Sequence, residues 1–198
     1  MRKFRKSGES IVFRPLSGDS LILTLVVIGG AVHEPMLDLV KLLGLLSDHQ
    51  GKITIPGVCD TVAELTPDES ALYDSIDFEL ENLKEVAGAP KLLYDTSTKD
   101  ALMHMWRYPA LSIHGIEGAH HTPGAKTVIP SKVIGKFSIR IVPNQEPAQV
   151  EQQVMRYLEE SFASFGSPNS LKVVCEHGAK GFGGDSLLDD NSYTNPGP

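Results

Sequence analysis

The stretch MWRYPALSIHGIEGAHHTPGAKTVIPSKVIGKFSIRIVPN, residues 105–144 of this 198-residue chain, carries the reading of the fold. Residues 111–116 form a short apolar run that reads as a strand. A loop rich in Gly, His and Thr follows over 117–130. Residues 133–142 then alternate, with Val133, Gly135, Phe137, Ile139 and Ile141 set against Lys132, Lys136, Ser138 and Arg140. That is the period of two of a strand with one face in a core. Pro143 ends it.

Downstream, Val150, Val154, Tyr157, Leu158, Phe162 and Phe165 recur at helical spacing and predict a helix over 147–165. Gly166 and Pro168 stop it, and 171–176 reads as a last strand. Upstream, the run LILTLVVI at 21–28 is β-branched and continuous, as in a strand buried on both faces. A helix over 34–46 follows, with Pro35 in its first turn and an apolar stripe of Met36, Leu39, Val40, Leu42, Leu43 and Leu46. Between these parts lies an acidic insertion at about 52–107. A short strand is expected at 52–55, closed by Pro56-Gly57. Thr66 is the expected N-cap of a helix opening at Pro67. Leu72, Tyr73, Ile76 and Leu80 should face inward, with breaks at 88–90 and 96–98.

The resulting order, β-α-(insertion)-β-β-α-β, predicts an α+β fold of the ferredoxin-like kind: a four-stranded antiparallel sheet with two helices on one face. Residues 1–20 are polar and basic and read as poorly ordered. Residues 21–180 form the domain, and the Gly-, Asp- and Asn-rich tail over 181–198 reads as loose.

Composition narrows the function classes. A net charge of −7 argues against nucleic acid as the main partner. Cys59 and Cys175 lie outside any CxxC spacing and fit a reduced cytoplasmic protein, without a disulfide framework. The basic start ahead of 21–28 loosely mimics a secretory leader, but the run is too short to span a bilayer. No membrane partner is expected.

Seven histidines raise the question of a metal. HEPML at 33–37 is not HExxH, because Leu37 stands where the second histidine belongs. His120 and His121 are adjacent and cannot share one face of a strand, and His104 and His114 read as hydrogen-bonded core histidines. No cluster of acids and histidines predicts a two-metal centre. The loop and strand at 115–140 leave two readings open. Gly115, Gly118, Gly124, Lys126, Thr127 and Arg140 suit an anion grip, since Arg presents a planar fork to a carboxylate. Alternatively Lys132, Lys136 and Arg140 are the solvated face of an amphipathic strand.

The segments GGAVHEPMLDLVKLL, MHMWRYPALSIHGIEGA and GAKTVIPSKVIGKFSIRIVPN resemble the carnosinase-type, cytosolic nonspecific di-metal dipeptidases of the aminoacylase/carboxypeptidase clan. The likeness runs from about Gly29 to about Lys180 and falls on the lid, or dimerisation, domain. It implies a ferredoxin-like fold, a homodimer, and dipeptide substrates. It also implies three substrate-binding residues here. Arg140 would grip the terminal carboxylate, His177 would hydrogen-bond substrate from the lid, and Thr127 would reach the neighbouring subunit's site. The family enzymes use two Zn or Mn ions, held by segments outside the lid. Neither metal ligands nor the catalytic glutamate is expected in this chain, which should therefore be inactive alone. The family also places a histidine in an LHSGVYGG-like sequence; here LTLVVIGG puts Thr24 at that position. Two further readings are a free-standing module that pairs with a full-length dipeptidase subunit, and a truncated product without function.

Overall fold

The computed structural model describes residues 6–14, 23–24, 29–118, 120, 122–124 and 126–177; for 6–14, 23–24, 176 and 177 it describes the backbone. The elements in chain order are β1 (Lys6–Arg14), β2 (Leu23–Thr24), α1 (Pro35–Gly44), α2 (Pro67–Asp74), α3 (Leu80–Ala87), α4 (Thr98–Trp106), β3 (Ala110–Glu117), β4 (Val128–Ile129), β5 (Val133–Arg140), α5 (Pro147–Ser164) and β6 (Ser170–His177). The chain is α+β, with five helices among the described residues and an antiparallel main sheet.

The main sheet has the order β3-β5-β1-β6. Its register sets Gly135 opposite Ile11 and Ile116, and Phe137 opposite Glu9 and Ile113. This corrects two expectations. Residues 1–20, read as poorly ordered, contain a strand of nine residues that lies between β5 and β6. Its polar, Gly-containing start masks the β-forming core Ile11-Val12-Phe13, and ladder bonds from both neighbours override weak local propensity. The run at 21–28 is therefore not the first strand of this sheet. Only Leu23 and Thr24 of it are described, in a two-stranded ribbon with Val128 and Ile129. The tail at 181–198 lies outside the described residues.

The alternation read in β5 holds. Val133, Phe137, Ile139 and Ile141 are buried and join one core with Leu39, Leu42, Leu43 and Leu46 of α1 and its end, and Val150, Val154 and Leu158 of α5. Burying each such side chain contributes about 1.5–3 kcal/mol relative to leaving it exposed. Val40, expected in the α1 stripe, is 52% exposed, and Asp38 takes the inward position at 2%. The Asp38 carboxylate accepts hydrogen bonds from Ser167 Oγ at 2.5 Å and Asn169 Nδ2 at 2.8 Å. A charge placed in a core needs such donors, and these two tie α1 to the start of β6.

Helix α1 and the sheet approach closely at Gly135. A methyl there would lie 2.6 Å from Leu39 Cδ1, which is fully buried and has nowhere to move.

The insertion enters the same core through Ile53, Ile55 and Val58. The strand expected at 52–55 is reduced to a single bridge between Ser47 and Ile53. Gln145, 4% exposed, anchors the next turn. Its Nε2 donates to Val58 O at 2.6 Å and Thr61 Oγ1 at 2.9 Å, and its Oε1 accepts from Val142 N at 3.0 Å. Beyond it the insertion buries Ala101, Leu102 and Met103 of α4 and is tied together by polar contacts. Thr66 caps α2 as read, accepting from Glu69 N at 3.2 Å. Yet α2 buries no residue, and Leu72 (67% exposed) and Ile76 (36%) face solvent, contrary to expectation. Lys99 of α4 bonds Ser70 and Asp74 of α2, and Arg107 meets both Glu69 carboxylate oxygens at 3.1 and 3.2 Å. Gly88, in the left-handed region at φ 62°, ends α3 where a break was read.

Three substitutions test this packing. Gly135→Val should cost about 1–3 kcal/mol in a urea melt, because the core is overpacked at Leu39. Gly44→Ala, with nothing within 4 Å, should be neutral or slightly stabilising. Gln145→Ala should cost about 1–3 kcal/mol, since it strands buried partners on both sides.

Candidate functional site

Arg140 ends β5 one position out of phase with Phe137 and Ile139, so its side chain leaves the sheet away from the core helices. Its Nη2 donates to the carbonyls of His104 at 2.9 Å and Tyr108 at 3.0 Å. His104 belongs to the last turn of α4, whose final carbonyls have no partner within the helix. The guanidinium thus sits at the negative end of a helix dipole, where a cation is stabilised. Burial lowers its pKa from the ordinary arginine value, and arginine remains charged under any physiological condition.

The α4 end is itself firmly set. Ser97 caps the helix start by accepting from Asp100 N at 3.1 Å. His104 Nδ1 lies 2.9 Å from Asp100 O. A carbonyl only accepts, so Nδ1 carries the proton. The imidazole stacks on Tyr94 with ring centroids 3.4 Å apart and leans against Tyr108 at 4.9 Å. Arg107 lies over the other ring partner, Tyr108, at 5.6 Å. His104 is therefore hydrogen-bonded as expected, but it is half-buried on the wall of a cleft and not part of the core.

Arg140 and these rings line a cleft of about 840 Å³, shared with Asp100, Lys52 and aliphatic residues of the insertion. Cys59 also lines it, and burial raises that thiol's pKa, so it is a poor nucleophile there. Thr127 does not line the cleft; it is exposed beside β4. The ribbon register places Thr24 opposite Val128, one residue from Thr127. His177 ends β6 with its backbone opposite Gly8, and its side chain lies outside the described residues.

The three cations of the amphipathic strand have separate fates. Lys132 is exposed, Lys136 pairs with Glu117 of β3, and Arg140 holds the α4 carbonyls. The solvated-face reading thus describes Lys132 and Lys136, while Arg140 stands apart. The glycines serve the backbone. Gly118 has φ 91°, and a methyl there would fall 2.3 Å from Lys132 O. Lys126 is exposed. His114, expected in the core, is the extra residue of a bulge between Ile113 and Gly115 and is exposed. His120 Nε2 lies 2.9 Å from Thr122 Oγ1, and His121 is outside the described residues. His33 is exposed before α1, where its carbonyl accepts from Asn169. Among the described residues, no three His, Cys, Asp or Glu side chains gather as metal ligands, so they do not fit a di-metal centre.

Sequence reading missed Tyr94, Asp100, His104 and Tyr108 as parts of the site. The Ser97–Asp100 cap marks where α4 begins, but nothing local shows that a side chain 32 to 36 positions on answers its last carbonyls.

The peptidase dimerisation domain model matches residues 28–165. The Cys-Gly metallodipeptidase of Schizosaccharomyces pombe is 53% identical over 156 residues, 79% of this chain and 33% of that protein. The beta-Ala-His dipeptidase of Homo sapiens is 48% identical over 165 residues, 83% of this chain and 32% of that protein. The crystal structure of human carnosine dipeptidase 1 superposes with a TM-score of 0.83 at 43% identity, covering 88% of this chain and 36% of that one. The chain thus spans about a third of the length of these relatives. No helix among the described residues is long and apolar enough to cross a membrane. With its α+β fold and this match, the chain belongs to the peptidase dimerisation domain family of the M20 metallopeptidases.

Proposed function

We propose that this chain acts as the lid and dimerisation domain of a cytoplasmic, metal-dependent dipeptidase, gripping the substrate's terminal carboxylate through Arg140. The observation that carries this reading is the guanidinium held by two backbone carbonyls on the wall of a cleft. A donor fixed before its ligand arrives loses little freedom on binding, and a planar fork matches a carboxylate. In the same reading His177 hydrogen-bonds substrate from the end of β6. The four-stranded sheet with α1 and α5 is the ferredoxin-like lid.

Thr127 is assigned to the neighbouring subunit's site. Supporting this, Thr24 stands where the family's histidine would fall, and the β2–β4 ribbon sets it beside Thr127. Thr127 thus directly precedes the ribbon strand that pairs with Thr24. Pairing itself is assigned to the β3 edge. β3 is bonded to β5 alone among the described strands, and Ile113 and Ile116 are each 44% exposed on it. A strand edge with exposed apolar residues is a template for a second copy, and two-fold pairing is the commonest oligomer symmetry.

The two Zn or Mn ions of the family would supply the hydroxide that attacks the peptide bond. The described residues offer them no ligand set, so the lid binds and orients while a catalytic domain carries the chemistry. The purified chain with added Mn²⁺ or Zn²⁺ should leave Cys-Gly and beta-Ala-His uncleaved. Hydrolysis above the metal-only blank would contradict the reading. Analytical ultracentrifugation at tens of micromolar should show a dimer, reduced to monomer by Ile113→Lys with Ile116→Lys. A wild-type monomer at that concentration would remove the β3 pairing.

A further inference from the structure

Arg107 is a buried cation that the carboxylate grip does not itself use. Its side chain is 8% exposed, against 38% for its partner Glu69. Its Nε donates to Glu69 Oε1 at 3.1 Å, and its Nη2 donates to Glu69 Oε2 at 3.2 Å and to Ala63 O at 2.7 Å. A guanidinium forked onto one carboxylate is set in direction as well as distance. These acceptors belong to α2 or to the chain that leads into it, and α2 buries no residue of its own. The backbone of Arg107 belongs to the other side of the insertion. It follows directly on α4, its N–H donates to Met103 O at 2.7 Å, and Tyr108 N donates to the same carbonyl at 3.1 Å. Its guanidinium carbon lies 5.6 Å from the centre of the Tyr108 ring.

The turn that Arg107 pins is the one that holds Arg140. The carbonyls of His104 and Tyr108, on either side of Arg107 in the chain, accept from Arg140 Nη2 at 2.9 and 3.0 Å. A second polar link between α2 and α4 lies elsewhere. Lys99 meets Ser70 and Asp74 at the opposite end of α4, and the side chains of Lys99 and Asp74 are 28% and 61% exposed. Such a pair is screened by salt and contributes little.

We propose that Arg107 is a positioning residue for Arg140: forked onto Glu69, it fixes the turn whose carbonyls orient the guanidinium that meets the substrate's carboxylate. The proposal rests on the reading of Arg140 as the carboxylate grip. A donor whose plane is set in advance loses less freedom on binding. Without the Arg107 fork the turn gains freedom, and the ligand itself must order Arg140. Arg107 takes no place in the core formed by α1, β5 and α5, so this loss is separable from loss of the fold. Lysine in its place keeps the charge but lacks the fork, which sets geometry against charge.

The test uses the full chain, with Gly-Gly as probe and Gly-Gly amide as its carboxylate-free control. In calorimetric titration the wild type should bind Gly-Gly more tightly than the amide, and Arg140→Met should abolish that difference. Arg107→Lys should weaken Gly-Gly binding on the order of tenfold, the effect of leaving one long side chain to be ordered on binding, and leave the amide unchanged. Glu69→Gln keeps Arg107 and a neutral acceptor. It should give a smaller loss in the same direction, and it carries the test if Arg107→Lys does not melt cooperatively. A spectroscopic readout separates positioning from stabilisation alone. The Nε–Hε signal of Arg140 in the isotope-labelled chain, assigned by its absence in Arg140→Met, should shift and exchange faster with water in Arg107→Lys. Gly-Gly affinity and Arg140 signal both unchanged in Arg107→Lys and Glu69→Gln would overturn the positioning role and leave the grip standing. Weaker Gly-Gly binding with an unmoved Arg140 signal would overturn it as well. A wild type that binds Gly-Gly no better than the amide would overturn the grip, and with it the proposal as stated.

Discussion

The close approach of Leu39 to the bare backbone of Gly135 sets the geometry of everything else. With no side chain at Gly135, α1 settles onto the sheet until Leu39 Cδ1 occupies the space a methyl would take. Leu42, Leu43 and Leu46 share one buried cluster with Phe137, Ile139 and the apolar face of α5. The contact at Gly135 also fixes the phase of β5. Once Val133, Gly135, Phe137 and Ile139 face the helices, period two leaves Arg140 on the opposite side. A slip of one residue would bury the arginine in the apolar core and expose Phe137.

From that phase follows the second organising contact, between Arg140 and the end of α4. Past Val58 the insertion's buried apolar residues are confined to Ala101, Leu102 and Met103 of α4 among the described residues. The insertion is joined to the domain by Gln145 at one end and by Arg140 at the other. These are satisfied polar contacts, directional where apolar burial is not, and they define where the α4 terminus stands. The cation that defines the terminus is also the group proposed to meet a substrate carboxylate. Structural and binding roles thus converge on one guanidinium. Replacing it with lysine would keep a charge but lose the fork.

Much of the domain was legible because local and tertiary preferences agree. In β5 and α5, and in α1 apart from Val40, the apolar period matches the face turned to the core, and Thr66 and Gly88 mark helix ends by chemistry that needs no tertiary help. Legibility failed where the two part. At Lys6–Arg14 a polar opening hides a strand whose hydrogen bonds come from partners more than a hundred residues away. In α2 the apolar spacing is present, but polar bridges from Lys99 and Arg107 hold the helix and leave Leu72 in solvent. Of the site, Arg140 was identifiable by residue type and resemblance. Its carbonyl partners were not, because backbone acceptors leave no trace in side-chain identity. Asp38 escaped for a similar reason: its donors, Ser167 and Asn169, lie 129 and 131 positions away.

The central claim is that the Leu39–Gly135 contact builds a cooperative domain within this chain, with Arg140 held ready by the α4 terminus. Hydrogen–deuterium exchange on the intact 198-residue chain tests it directly. Amides of Val133–Arg140 and of α1 should be protected to a common level, as parts of one cooperative unit. Arg140→Met should lower protection in α4 while leaving β5 and α1 unchanged. Exchange of β5 and α1 at the rate of an unstructured peptide, or loss of protection in β5 before α4 in that variant, would contradict the account.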